Sequence, residues 1–127
     1  MIHPTRDVTS AELAILEKLW EHEFATLKQL SKWLYGGETP SNIATVQKLV
    51  TRLEGKGFVA RDRGYWPHRF NAVADRDRLI NLRLQAAADE LCDGSMSTLL
   101  MHVFKSAKFS SRQRKRLRKL LDELDGE

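Results

Sequence analysis

Residues 41–73, SNIATVQKLVTRLEGKGFVARDRGYWPHRFNAV, leave the chain few ways to fold. Their hydrophobic pattern changes once, from a helical period to a strand period, and glycine marks the change. Ile43, Val46, Leu49, Val50 and Leu53 recur at i, i+3, i+6, i+7 and i+10, a spacing that gathers them on one buried face of a helix over 41–55. The opposite face carries Ala44, Thr45, Gln47, Lys48, Thr51 and Arg52. These are small, amide, hydroxyl and cationic groups, the kinds that reach base edges and phosphates in a major groove. Gly55 and Gly57 are expected to end the helix, because glycine tolerates the left-handed cap conformation. Beyond them, 58–63 and 69–73 read as two short strands joined by a tip over 64–68, too long for a two-residue hairpin turn. Pairing would send Phe58 and Phe70 toward a core and Arg61, Arg63 and Arg69 toward solvent or a ligand.

Charge sharpens this pattern. The stretch holds Lys48, Arg52, Lys56, Arg61, Arg63 and Arg69 against Glu54 and Asp62, a net +4, which equals the net charge of the whole 127-residue chain. Everything outside it sums to zero, so the positive charge is concentrated where a reader of a polyanion needs it.

The flanks complete the architecture. Thr9-Ser10-Ala11-Glu12 is a capping box, and Leu13, Leu16, Leu19 and Trp20 then line one face of a helix that fades near 21–23. A short extended link over 24–26 leads to a second helix over 27–35, burying Leu27, Leu30 and Leu34 with Trp33 beside them. Gly36-Gly37 stops it, and 38–40 turn into the third helix. Three helices and a hairpin in this order make a winged helix-turn-helix, with the third helix as recognition helix and the hairpin as wing. Trp20, Trp33 and Phe58 are expected in the core, and Trp66 at the tip either packs on the body, the favoured reading, or probes a minor groove.

After Ala74 the pattern becomes purely helical. Asp75 can cap a helix to about Leu91, with Leu79, Ile80, Leu84, Ala87 and Leu91 as its apolar positions, and Gly94 breaks it. Met96, Leu99, Leu100, Val103 and Phe104 form a second stripe. A Ser110–Gln113 capping box opens a third helix, with Leu117, Leu120, Leu121 and Leu124 on one face. Three short helices enclose too little interior to bury these stripes alone, so a second copy of the chain is the expected cover. The fold class is therefore mainly α with a small β-hairpin wing: a winged helix-turn-helix DNA-binding domain over 1–74 and a helical dimerisation region over 75–127. Leu84, Leu91, Leu99, Leu100, Val103, Leu117, Leu120, Leu121 and Leu124 are its candidate dimer contacts. The basic run 112–119 reads as a solvated helix face.

Composition excludes several classes. With 42% hydrophobic and 30% charged residues the chain is globular, and no apolar run approaches the ~18 residues of a membrane span. The N-terminal segment has no hydrophobic signal core, so a cytoplasmic location is expected. One cysteine, Cys92, offers neither an intrachain disulfide nor a paired-Cys zinc site, and is expected to be a small, partly buried residue. His3, His22, His68 and His102 show no helical metal spacing, so neither a metal nor another cofactor is expected. No carboxylate pair, Ser/His/Asp grouping or glycine-rich phosphate loop suggests an enzyme.

The same residues resemble a known family. Thr9-Ser10-Ala11-Glu12 with Leu19-Trp20 is similar to the Thr-x-Ala-Glu … Leu-Trp opening of the penicillinase and methicillin-resistance repressors. Thr45-Val46, Arg52-Leu53 and Lys56-Gly57 resemble their recognition-helix pattern, and 96–121 follows their layout of dimerisation helices. The resemblance implies a dimeric winged-helix repressor that binds double-stranded palindromic operator DNA and blocks transcription. It carries Thr45 and Arg52 over as DNA contacts and makes Gln47 and Lys48 candidates for operator-specific readout. Thr51, with Thr45 and Arg52, would hold phosphates, and Arg63 and Arg69 would reach the DNA backbone from the wing. In relatives that regulate β-lactam resistance, a sensor-activated protease cuts the dimerisation region at an Asn-Phe bond. Here the corresponding segment is Met101-His102-Val103, a departure from that pattern. Nor does the chain carry the cysteine-rich tail of copper-responsive relatives. Two other classes stay open on sequence: a winged helix used for protein interaction without specific DNA binding, and a ligand-sensing regulator similar to the multiple-antibiotic-resistance type.

Overall fold

The computed structural model describes residues 7–126, so His3 and the first part of the N-terminal segment lie outside the described residues. The chain divides into two compact units, Met1–Ala86 and Ala87–Glu127. The first unit holds α1 (Ser10–His22), α2 (Leu27–Tyr35), α3 (Pro40–Gly55), β1 (Val59–Asp62), β2 (Arg69–Ala72) and most of α4 (Arg76–Leu91).

Each helix begins where a side chain can take up orphan amides. Thr9 and Glu12 close a reciprocal capping box on α1, and Thr26 and Gln29 close one on α2. The second box was not foreseen, because 24–26 read simply as a link. Thr39 accepts from the Asn42 amide at 3.2 Å and Pro40 occupies the first turn, so α3 starts one residue before the expected position. At its far end Gly55 stays helical, and only Gly57, at φ 83°, adopts the left-handed conformation. Asp75 accepts from the Arg78 amide at 2.9 Å and caps α4 as expected.

Between α1 and α2 the chain turns sharply. Phe24 donates its amide to the His22 carbonyl at 2.6 Å around Glu23, whose φ of 64° is costly for a side-chain-bearing residue. The turn delivers Ala25 to the sheet. Ala25 and Phe70 exchange both backbone hydrogen bonds, at 2.9 and 2.8 Å, so β2 lies between Ala25 and β1. On its other edge β2 pairs antiparallel with β1, with Val59 opposite Ala72 and Asp62 opposite Arg69. The ladder is slightly shorter than the sequence implied, because Phe58 and Val73 bond beyond its end through a single backbone contact at 2.9 Å.

One core fills the first unit. Ile15, Leu16 and Leu19 from α1, Leu30 from α2, and Val46, Leu49, Val50 and Leu53 from α3 meet Phe58, Val59 and Phe70 and the Leu79 side chain of α4. Trp20, Trp33, Leu13, Leu27 and Leu34 seal its edges half-buried. Full burial of each large apolar side chain is worth about 1.5–3 kcal/mol, so this set dominates the unit's stability. Ser31 is buried too, with its hydroxyl donated to the Gly37 carbonyl.

The second unit contains the end of α4, then α5 (Met96–Ser106) and α6 (Ser111–Asp125). Asp93 and Gly94, at φ 50° and 83°, reverse the chain, and the Gly94 amide closes on the Ala88 carbonyl at 2.9 Å. Ser95 caps α5, and the expected Ser110–Gln113 box caps α6. Neither helix has one buried side chain. Leu91 is 77% exposed and Leu124 64%; Leu100, Val103, Leu120 and Leu121 are exposed as well, while Leu99, Leu117 and Cys92 are half-buried. Among the described residues no helix is long and apolar enough to cross a membrane.

Candidate nucleic-acid interface

The apolar stripe of α3 fixes which way its polar face points. With Val46, Leu49, Val50 and Leu53 buried, Ala44, Thr45, Gln47, Lys48, Thr51 and Arg52 are all exposed on the opposite side. Thr45 donates its hydroxyl proton to the Ser41 carbonyl at 3.1 Å, so in this conformation it can offer a ligand only a methyl group and lone pairs. Gln47, Lys48 and Arg52 retain free donors among the described residues, in lengths able to reach base edges or phosphates.

Two ion pairs brace this helix. Lys56 Nζ donates to both Glu12 carboxylate oxygens, at 2.8 and 3.0 Å, and to the Asp7 carbonyl at 2.8 Å. Glu12 is buried and also accepts from the Thr9 amide at 2.9 Å. Burial alone would raise its carboxyl, but the hydrogen bonds from Lys56 and Thr9 and the Lys56 charge outweigh that and hold it below its ordinary value. The pair pins the end of α3 to the start of α1. Arg61 then grips Glu54 bidentately, at 3.2 and 3.1 Å, and lies over the Phe70 ring, tying the wing to the last turn of α3.

These contacts redistribute the basic patch. Lys56 and Arg61 face acids rather than solvent. Arg69 is half-buried between the Phe24 and Tyr65 rings, with its guanidinium carbon 3.8 and 3.4 Å from their centroids, and its Nε is buried without a hydrogen-bond partner. Lys48, Arg52 and Arg63 remain exposed with no acidic partner among the described residues. Glu12 and Lys56 escaped the sequence reading as a pair. The available signal was Glu12's place four residues before Leu16, on the buried stripe of α1, where a carboxylate needs an internal cation.

The tip of the wing also corrects an expectation. Trp66 does not fold onto the body: it is 87% exposed, and its one ring contact is edge-on to His68 at 5.1 Å. Tyr65 is exposed as well, at 51%, with the Arg69 guanidinium over its ring. Among the described residues no group of His, Cys, Asp and Glu could hold a metal ion.

Three helices closed by a small hairpin, with a solvent-facing polar surface on the third helix, define a winged helix-turn-helix followed by a helical module. The chain belongs to the penicillinase repressor family, whose sequence model matches residues 8–123. That is a family of transcriptional repressors, and the match spans both units. No curated protein matches the chain significantly.

Proposed function

We propose that the chain is a sequence-specific, homodimeric repressor of transcription that binds a palindromic operator. The observation that carries this reading is the placement of the unpaired cations: Lys48 and Arg52 on the outer face of α3, and Arg63 on the adjoining wing. A helix braced at its end by two ion pairs and presenting amide, hydroxyl and cationic groups suits the major groove. Gln47 and Lys48 would read base edges, while Thr51, Arg52 and Arg63 would hold phosphates and set the register. Arg69 would act mainly by holding the wing, since its guanidinium is already stacked on two rings.

The exposed leucines of α5 and α6 support the dimer. A second copy would cover them and match the dyad of the operator, with half-sites about one helical turn, or a multiple, apart. Any event that parts the two copies would release the DNA, because each half-site alone binds more weakly.

The test is binding to the intergenic duplex upstream of the protein's own gene and to a scrambled duplex, at two salt concentrations. Tight binding at two chains per operator, preferring the first duplex and lost in Arg52→Ala, is expected. Absence of binding at low salt would overturn the reading in favour of a winged helix that docks onto protein.

A further inference from the structure

Resting on the repressor reading above, we propose that Arg83 is a positioning residue: through a strap formed by Asp7 and Val8 it locks α4 to the end of the recognition helix, and so sets the half-site spacing that a dimer accepts. α4 runs without a break from Arg76 in the first unit to Leu91 in the second, so its hold on the first unit matters to any dimer that reads DNA. That hold is not the apolar one its sequence implies. Of Leu79, Ile80 and Leu84, Leu79 alone is buried, while Ile80 and Leu84 are exposed. Leu82 adds a partly buried contact with the core. Arginines supply much of the rest. Arg76 lies over the Trp20 ring at 4.7 Å, Arg78 over the Phe58 ring at 5.4 Å, and Arg83 reaches the segment that precedes α1.

The strap is fixed at several points. The Val8 side chain is buried in the core, and its carbonyl accepts from the Arg83 guanidinium. One Asp7 carboxylate oxygen accepts from the Val8 amide at 2.7 Å and faces Arg83 Nε at 3.5 Å. The Asp7 carbonyl accepts from Lys56 Nζ at 2.8 Å, the same ammonium that holds Glu12. Lys56 is itself the C-cap of α3. Direct contacts therefore lead from α4 through Arg83, Asp7 and Lys56 to the last turn of the recognition helix. A planar guanidinium that takes a carbonyl and a carboxylate together constrains direction as well as distance. Arg83 and Asp7 are both exposed, where an ion pair adds little to stability. Its effect is instead to stop a lightly held helix from pivoting. A reader already aimed at its second half-site loses less freedom on binding, and rejects half-sites that lie elsewhere.

Operators of altered spacing test the idea on the full chain. The intergenic duplex, footprinted to locate its half-sites, is compared with the same duplex lengthened by two base pairs at the dyad. The wild type should bind the lengthened duplex much more weakly. Arg83→Ala should bind the native duplex about tenfold more weakly than the wild type and lose most of the discrimination between the two. Its salt dependence and its dimer dissociation constant should not change. Asp7→Ala should shift in the same direction by a smaller factor, although it raises the net charge where Arg83→Ala lowers it. A wild type indifferent to the spacing, or discrimination kept in Arg83→Ala, would overturn the proposal while leaving the repressor reading intact. So would a salt slope lowered by about one in Arg83→Ala, which would make Arg83 a phosphate contact. Tighter binding by Asp7→Ala would overturn it in favour of net charge. A wild-type chain that binds neither the intergenic nor a scrambled duplex at low salt would overturn both this inference and the reading beneath it.

Discussion

The two units of this chain treat similar raw material differently. In the first, the stripes of α1, α2 and α3 meet one another and the hairpin, and their large side chains are buried or sealed at the edge. In the second, α5 and α6 carry stripes just as regular, yet they bury nothing. Period alone therefore identifies the face of a helix that wants covering, but not what covers it. The first unit closes its core within one chain because a hairpin and a fourth helix supply the missing walls. In the second the stripes stay exposed, and under the reading proposed above a second copy would offer the same surface in return.

The contrast predicts a ranking of damage. Phe58→Ala, in the core of the first unit, should cost about 3–5 kcal/mol in urea unfolding followed by tryptophan fluorescence, whatever the protein concentration. A cost below about 1 kcal/mol would mean that the first unit is not the self-sufficient one.

Glu12→Gln should follow, at about 3 kcal/mol, because it leaves the Lys56 ammonium beside a neutral amide in a largely buried place. It also carries a pH signature. The folded carboxyl lies below its ordinary value of 4.5, so the pair's contribution is complete above that value and fades as pH falls through the lower, folded one. Acid titration of stability should show this loss in the wild type and not in Glu12→Gln. Parallel curves for the two proteins would refute the assignment.

Leu120→Ala with Leu124→Ala should behave in the opposite manner to Phe58→Ala. Both side chains are exposed in the single chain, so their removal should leave the unfolding of the dilute protein within about 0.5 kcal/mol. In sedimentation equilibrium the dimer dissociation constant should rise by at least tenfold, reflecting about 1.5 kcal/mol or more of lost apolar burial. If the constant does not move, the exposed stripe of α6 is not the wall of a dimer.

Much of this was legible in the sequence, and the limits are instructive. The stripe of α3, the Thr9 and Ser110 boxes, the Asp75 cap and the core positions of Phe58 and Phe70 all follow from local spacing, and the structure bears them out. Contacts that cross between elements were not legible. Nothing in the local sequence couples Glu12 to Lys56 or brings Phe24 to Arg69, since those pairs form only once the helices have packed. The consequence for the candidate interface is direct. Counting cations along 41–73 treats all six alike, whereas the fold turns Lys56 and Arg61 toward acids, stacks Arg69 and leaves three facing solvent without an acid among the described residues. Trp66 went astray for a related reason: the Arg69 guanidinium is taken up by the Phe24 and Tyr65 rings, contacts that no local spacing announces.

The smallest predicted effect tests that redistribution most sharply, because Arg61 and Arg63 are two residues apart and carry the same charge. Arg63 is exposed and faces no acid among the described residues, so in the complex its guanidinium would neutralise a phosphate and release a counterion. Arg63→Ala should therefore weaken operator binding a few-fold and lower the slope of log K against log salt by about one. Arg61 already neutralises Glu54 and cannot reach a phosphate without giving up that bidentate contact. Arg61→Ala should leave the salt slope unchanged while lowering thermal stability by about 1 kcal/mol or less, the usual worth of a pair near the surface. Equal slopes for the two variants would mean that the wing's cations act through net charge alone. A changed slope for Arg61→Ala only would mean that the Glu54 pair opens when DNA arrives.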